Sequence, residues 1–341
     1  MMPKADVHLH QEWSPRLDRV LARRAGRAPY DWSAWRRDLL DEAPPGMARL
    51  QRLSQVFPAP IGADDDGGFV DRVTDTLRES AEAGSVFTEV RFGNESMLRP
   101  GFMELFRRAE AKVRDEHPMF YAEAIASVLL WYEPDRLAAI VDECVRAAAE
   151  GLAGMDLLYV PYATEANWRV GRQVVDRAVD AGLGVTVHAG EFSTANIGAV
   201  AHLDGVTRIG HATQAFRDPW LLDVLAERGL TVECCLSCNV LLGAVPRLAE
   251  HPMRRFQAHG IAVALGTDNP VQIGTTIGDE YAAAAQLGLG DEELLELTRT
   301  AVRAGFTSAE RRAELLGYLD GFHVRECADA GDMRVMGQRR G

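Results

Sequence analysis

A chain of 341 residues that is 47% hydrophobic can bury a large core, as one large domain or two smaller ones. Its net charge of −13 counts against a general binder of nucleic acid or of anionic membranes, whose affinity rests on neutralising phosphate, although a small basic pocket stays compatible with it. Five cysteines, an odd number with three crowded at positions 234, 235 and 238, do not suggest a disulfide framework. There is no basic-then-apolar leader and no run of about eighteen apolar residues, so a cytoplasmic protein acting on a small molecule, without membrane or nucleic-acid partners, is expected. The oligomeric state is not legible.

The first predicted strand is 4–10, "KADVHLH", where Val7 and Leu9 alternate with His8 and His10. Side-chain direction on a strand repeats every two residues, so both imidazoles leave one face with attachment points roughly 6.5–7 Å apart. Residues 13–80, rich in Trp, Arg and Pro, are too long for a simple crossover and are expected to form a helical, lid-like insertion over the mouth of the fold. Within it Asp64, Asp65 and Asp66 read as a solvated loop.

Short apolar, β-branched runs then recur at 85–92, 120–131, 153–160, 183–189, 206–211, 229–236 and 261–267. Between them lie amphipathic stretches such as 134–151, which opens on Pro and closes on Gly. Eight strands alternating with helices predict an α/β chain closed as a (β/α)8 TIM barrel, one unit over 1–325 followed by a flexible tail at 326–341. An open doubly wound sheet is the alternative. No Gly-x-Gly-x-x-Gly or Gly-x4-Gly-Lys-Ser/Thr follows a strand, which weakens a nucleotide-cofactor reading.

In such a barrel, functional groups sit at the C-terminal ends of the strands. Those ends carry His8 and His10, His188 and Glu191 in "TVHAGE", His211 in "RIGHAT", and Asp268 in "LGTDNP". Four imidazoles and two carboxylates at one rim are costly to bury unless they are paired or hold a metal, so a metal site is expected there. A straight strand would point His188 and Glu191 to opposite faces, so the chain must turn at Ala189–Gly190, which glycine permits.

"PKADVHLH", "TVHAGE", "RIGHAT", "ECCLSCNVLLGAV" and "LGTDNP", in this order over roughly residues 3–320, resemble the adenosine deaminase family of the amidohydrolase superfamily. The resemblance implies that His8, His10, His188 and Asp268 bind one Zn²⁺ and that the activated water attacks a ring carbon bearing an amino group. Glu191 would protonate the adjacent ring nitrogen. His211 would stand beside the water as base or electrostatic guide, a role Asp268 shares.

Three substrate-facing positions depart from the family's pattern: Glu12, with Trp13 after it, Tyr159 after Leu158, and Asn269 in place of a second aspartate. Each unmatched buried polar group costs about 1–3 kcal/mol. A modified purine, a purine-like nucleoside or another aminated heterocycle is therefore expected in place of adenosine. Hydrolysis of another C–N bond, as in a cyclic amide, and ligand binding without catalysis are the competing readings.

Other features receive structural readings. Cys235-x-x-Cys238 lacks the preceding Pro and the His-x-Glu of cytidine-type deaminases; Cys234 and Cys235 read as core, and Cys238 as lining the pocket. Glu89 and Arg91 read as an ion pair inside the barrel. His117, His202, His251, His259 and His323 read as surface residues.

Overall fold

The structure, a computed structural model, describes residues 1–55 and 64–322. Eight strands form one parallel sheet in sequence order: β1 (Lys4–His10), β2 (Ser85–Phe92), β3 (Tyr121–Leu129), β4 (Gly154–Leu158), β5 (Gly184–Ala189), β6 (Val206–His211), β7 (Thr231–Cys234) and β8 (Ala262–Leu265). Helices follow the strands on the outside, as in a (β/α)8 barrel. Several strands stop one to three residues short of the predicted runs, because the apolar stretch continues into the turn. The predicted tail at 326–341 lies outside the described residues, and so does His323.

No ladder joins β8 to β1. The seam closes just beyond β8, where Asp268 N donates to His8 O and His10 N donates to Asp268 O, both at 2.7 Å. The rim that carries the chemistry is therefore also the joint of the barrel. Gly266 makes this approach possible, because a Cβ there would lie 2.3 Å from the His8 Cβ.

The strands are buried on both sides, and alternation sorts their contents. Outward residues such as Val90 and Phe92 pack on the helix Phe102–Arg114, with Phe92 edge-on to Phe102 and Phe106. Inward residues include Glu89, Arg91, Asp156, Thr186, Arg208 and Glu233, each 1% exposed or less. Glu89 and Arg91 do lie inside the barrel, but parity gives a face and not a partner. Arg91 pairs with Asp156 (2.8 Å) and Glu233 (2.6 Å), while Glu89 pairs with Arg208.

The 13–80 region divides in two. Helix Asp66–Glu82 is an ordinary outer helix packed on β2, and Trp13–Arg24 lies against it through Arg16 and Arg19, which pair with Asp75 and Glu79. Helices Trp32–Glu42 and Met47–Leu53 instead cover the loops that follow β7 and β8. There Trp32, Trp35, Leu39 and Leu53 cluster with Cys235, Cys238, Leu242 and Ile273. Of the acidic run, Asp65 and Asp66 are exposed at the start of the helix Asp66–Glu82, which Asp65 caps, whereas Asp64 is clamped by Arg72 and Arg99 at 3.0 and 2.9 Å. Among the described residues no helix is long and apolar enough to cross a membrane.

Removing one partner of a buried ionic network strands the others. Arg208→Met should lower stability by about 3–5 kcal/mol in urea titration. Arg146→Ala, which breaks an exposed pair of arginine–glutamate contacts, should leave the midpoint in place.

Candidate active site

The end of β1 presents His8 and His10, β5 presents His188, β6 ends on His211, and Asp268 follows β8. Ring centroids lie 5.4 Å apart for His8 and His10, 4.5 Å for His8 and His188, and 4.8 Å for His8 and His211. One nitrogen from each of His8, His10 and His188 falls within 4.8 Å of the other two, and so do one nitrogen each of His8 and His211 and a carboxylate oxygen of Asp268.

Buried carboxylates set the direction of two of these rings. Glu233 Oε2 lies 2.7 Å from His8 Nδ1, and Asp156 Oδ1 lies 2.8 Å from His188 Nδ1. Each carboxylate takes a hydrogen from Nδ1, which leaves the Nε2 lone pair aimed at the common centre. His8 Nε2 is buried there without a partner. His188 Nε2 and His10 Nε2 face each other at 3.3 Å, and burial pushes both imidazoles below their usual pKa, His188 to about 3. The buried, unpartnered Nε2 of His8 and the free lone pair of His188 Nε2, with His10 Nε2 beside it, make a donor set that fits a divalent metal. Asp268 Oδ1 stands 3.5 Å from His10 Nε2, and burial pushes its carboxyl up to about 6.

Backbone strain concentrates at the same rim. Among the described residues the non-glycine positions with positive φ are Glu12 (46°), His211 (68°), Ala212 (48°) and Asp268 (63°). Such conformations persist only where surrounding contacts impose them.

The chain turns after β5 at Gly190, φ 80°, and brings Glu191 into the pocket. Its Oε2 is 3.9 Å from His211 Nε2, and its Oε1 accepts from Asn239 Nδ2 at 3.3 Å. Burial, and then the neighbouring Asp268, push the Glu191 carboxyl well above the usual range. Hydrogen bonds from Tyr162 and Asn239 pull it back in part.

The three substrate-facing candidates occupy different situations. Both Glu12 oxygens accept backbone hydrogens at 2.9 Å, from Val271 and Gln272, so this carboxylate ties down the loop after β8. Tyr159 stands at the mouth just after β4, its hydroxyl 3.3 Å from Thr164 Oγ1 and its ring edge-on to Trp131. Asn269 donates to Asp268 Oδ1 at 2.5 Å, which leaves its own carbonyl to accept from a ligand. Cys238 is fully buried and hydrogen-bonded to Asp268.

Four participants were not singled out from the sequence: Asp156, Glu233, Tyr162 and His251. The first two carried a signal, since a carboxylate at an inward strand position needs a partner. Tyr162 carried none. It is 5% exposed, packs edge-on against Phe192 and hydrogen-bonds Glu191. His251, expected at the surface, is buried against Asn239. His202 and His259 are on the surface as expected.

The profile of the family described as "Adenosine deaminase" matches residues 3–321. The chain belongs to the adenosine deaminase family. Membership makes it a hydrolytic deaminase acting on a C–N bond. The adenine deaminase of Rhizobium etli is 30% identical over 342 residues, covering 93% of this chain and 99% of the relative. The solved adenine deaminase of Arthrobacter aurescens superposes with a TM-score of 0.74 at 24% identity, covering 94% of this chain and 99% of that one. An amidohydrolase from Burkholderia ambifaria, solved with bound zinc, superposes with a TM-score of 0.70 at 18% identity over 96% of this chain and 93% of that one. Both superpositions speak for the barrel.

If Asp156 and Glu233 aim the imidazoles, Asp156→Asn and Glu233→Gln should each weaken metal retention by about 10–100-fold, read by competition with a chromophoric chelator.

Proposed function

We propose that this member of the family is a zinc-dependent deaminase of a purine-like heterocycle, holding one Zn²⁺ on His8, His10, His188 and Asp268. The observation that carries the reading is the convergence of an acid, Glu191, and a metal-ligand cluster on one pocket through His211, which lies 3.9 Å from Glu191 and 4.0 Å from Asp268. Three nitrogens and one oxygen suit zinc, and the zinc-bearing neighbour supports that choice. When bound, the ion supplies acidity to a water molecule.

The chain's own groups perform the rest. Glu191, kept in its acid form by burial, gives its hydrogen to the ring nitrogen beside the aminated carbon and so makes that carbon electrophilic. Asp268 and His211 flank the attacking water on the opposite side. Water adds its oxygen to the carbon, the amino group leaves as ammonia, and the ring keeps a carbonyl. Such acid–base assistance contributes about 10²–10⁴ in rate.

The free base or a modified purine is favoured over adenosine. Glu12 is committed to backbone amides, Tyr159 adds bulk at the mouth, and the relative aligned along its whole length is named an adenine deaminase. Ammonia release across adenine, adenosine and N6-substituted purines tests the reading. Release from adenine or a modified purine, outpacing adenosine, is expected. Absence of ammonia from every heterocycle, with hydrolysis of a cyclic amide instead, would overturn it.

Glu191→Gln should lose about 10²–10⁴ in kcat while keeping its zinc. Because the raised pKa keeps Glu191 protonated, its ionisation should cost no kcat/KM near pH 5, where an ordinary glutamate ionises, and the limb it controls should appear only on the alkaline side. A profile that falls through pH 4–5 as pH rises would contradict the assignment.

A further inference from the structure

His251 follows the short turn Leu248–Glu250, outside the barrel strands, and no step described so far uses it. It is nevertheless 5% exposed and ends in a chain of hydrogen bonds whose direction can be fixed from one atom. That atom is the Met253 amide, whose hydrogen has no other place to go. Met253 N donates to His251 Nδ1 at 3.2 Å, so Nδ1 carries no hydrogen. The imidazole hydrogen is therefore on Nε2, which lies 3.2 Å from Asn239 Oδ1 and donates to it.

This contact settles the Asn239 amide. With Oδ1 turned to His251, Nδ2 faces the site, 3.1 Å from His211 Nδ1 and 3.3 Å from Glu191 Oε1. The reversed amide would set its N–H against the N–H of His251, a repulsive contact in place of a hydrogen bond. His211 Nδ1 faces a donor and so carries no hydrogen; the ring hydrogen is on Nε2. At Glu191, Oε1 accepts the second Asn239 N–H, which holds that carboxyl in the pocket. His211 Nε2 and Glu191 Oε2 are the atoms that face each other at 3.9 Å across the pocket.

We propose that His251 is a positioning residue for the deamination: acting through Asn239, it keeps the His211 hydrogen on Nε2, pointing at the attacking water, and holds the Glu191 carboxyl in place through an N–H to Oε1. His211 then acts as a hydrogen-bond donor to the oxygen of the attacking water. It has no free lone pair there to receive a proton, and that task falls to Asp268. The kinetic part of this inference rests on the deaminase reading, whereas the proton positions rest on the hydrogen-bond geometry alone.

The test uses zinc-loaded, full-length protein with ¹⁵N-labelled histidine and long-range ¹H–¹⁵N correlation spectra. Wild type should show His211 as the Nε2–H tautomer. His251→Leu should release His211 into a mixture of tautomers and lower kcat about tenfold, the worth of one positioned hydrogen bond, with KM and zinc content unchanged. His251→Gln, whose amide still offers Asn239 an N–H, should retain the wild-type tautomer and most of kcat. An Nδ1–H or doubly protonated His211 in wild type would overturn the inference, and so would a His251→Leu enzyme with unaltered tautomer and kcat. If no heterocycle releases ammonia, the deaminase reading fails, while the wild-type spectrum still decides the relay and needs no variant to fold.

Discussion

Glu233 is the group on which the site depends. One carboxylate buried at the centre of the barrel accepts four hydrogen bonds: His8 Nδ1 (2.7 Å) and Arg91 (2.6 Å) on Oε2, Arg208 (2.8 Å) and Thr186 (2.9 Å) on Oε1. Arg91 carries the network to Asp156, and Asp156 turns His188. A charge with no solvent survives burial only when every lone pair is occupied. Here that satisfaction has a direction, because the imidazole hydrogens point down into the network and the lone pairs point up to the rim. The same atoms that stabilise the barrel interior thus expose a cluster of nitrogens for a cation.

Two further constraints keep the rim in place. The β8–β1 seam runs through His8, His10 and Asp268, so closing the barrel brings these three candidate ligands together. Positive φ at His211 and Asp268 turns those side chains inward at the strand ends. Strain of order 1–3 kcal/mol per residue is tolerated because the backbone at these points is held on both sides. Helices Trp32–Glu42 and Met47–Leu53 press on the loops after β7 and β8, and Gly46 N donates to Leu242 O at 2.7 Å. They restrain the segment carrying Cys238 and Asn239.

Much of this was legible in the sequence because it follows from periodicity. The eight strands announced themselves as apolar, β-branched runs, and parity placed His8 and His10 on one face. The spacing from His188 to Glu191 demanded a turn, which Gly190 makes. What stayed hidden depends on contacts between distant segments. Parity put Glu89 and Arg91 inside the barrel but could not say that each pairs elsewhere. A loop histidine such as His251 looks the same whether buried or exposed, since its burial comes from the packing of the β7 loop. Glu12 lies two residues after His10 in sequence, and only the tertiary structure shows its oxygens accepting from Val271 and Gln272.

The central claim is that buried carboxylates aim His8 and His188, together with His10 and Asp268, at a single point. Anomalous scattering at the zinc absorption edge from crystals grown with zinc measures that point directly. The account predicts one strong peak bounded by Nε2 of His8, His10 and His188 and by the Asp268 carboxylate. No peak at the rim, or a peak bound elsewhere with these imidazoles turned away, would contradict it.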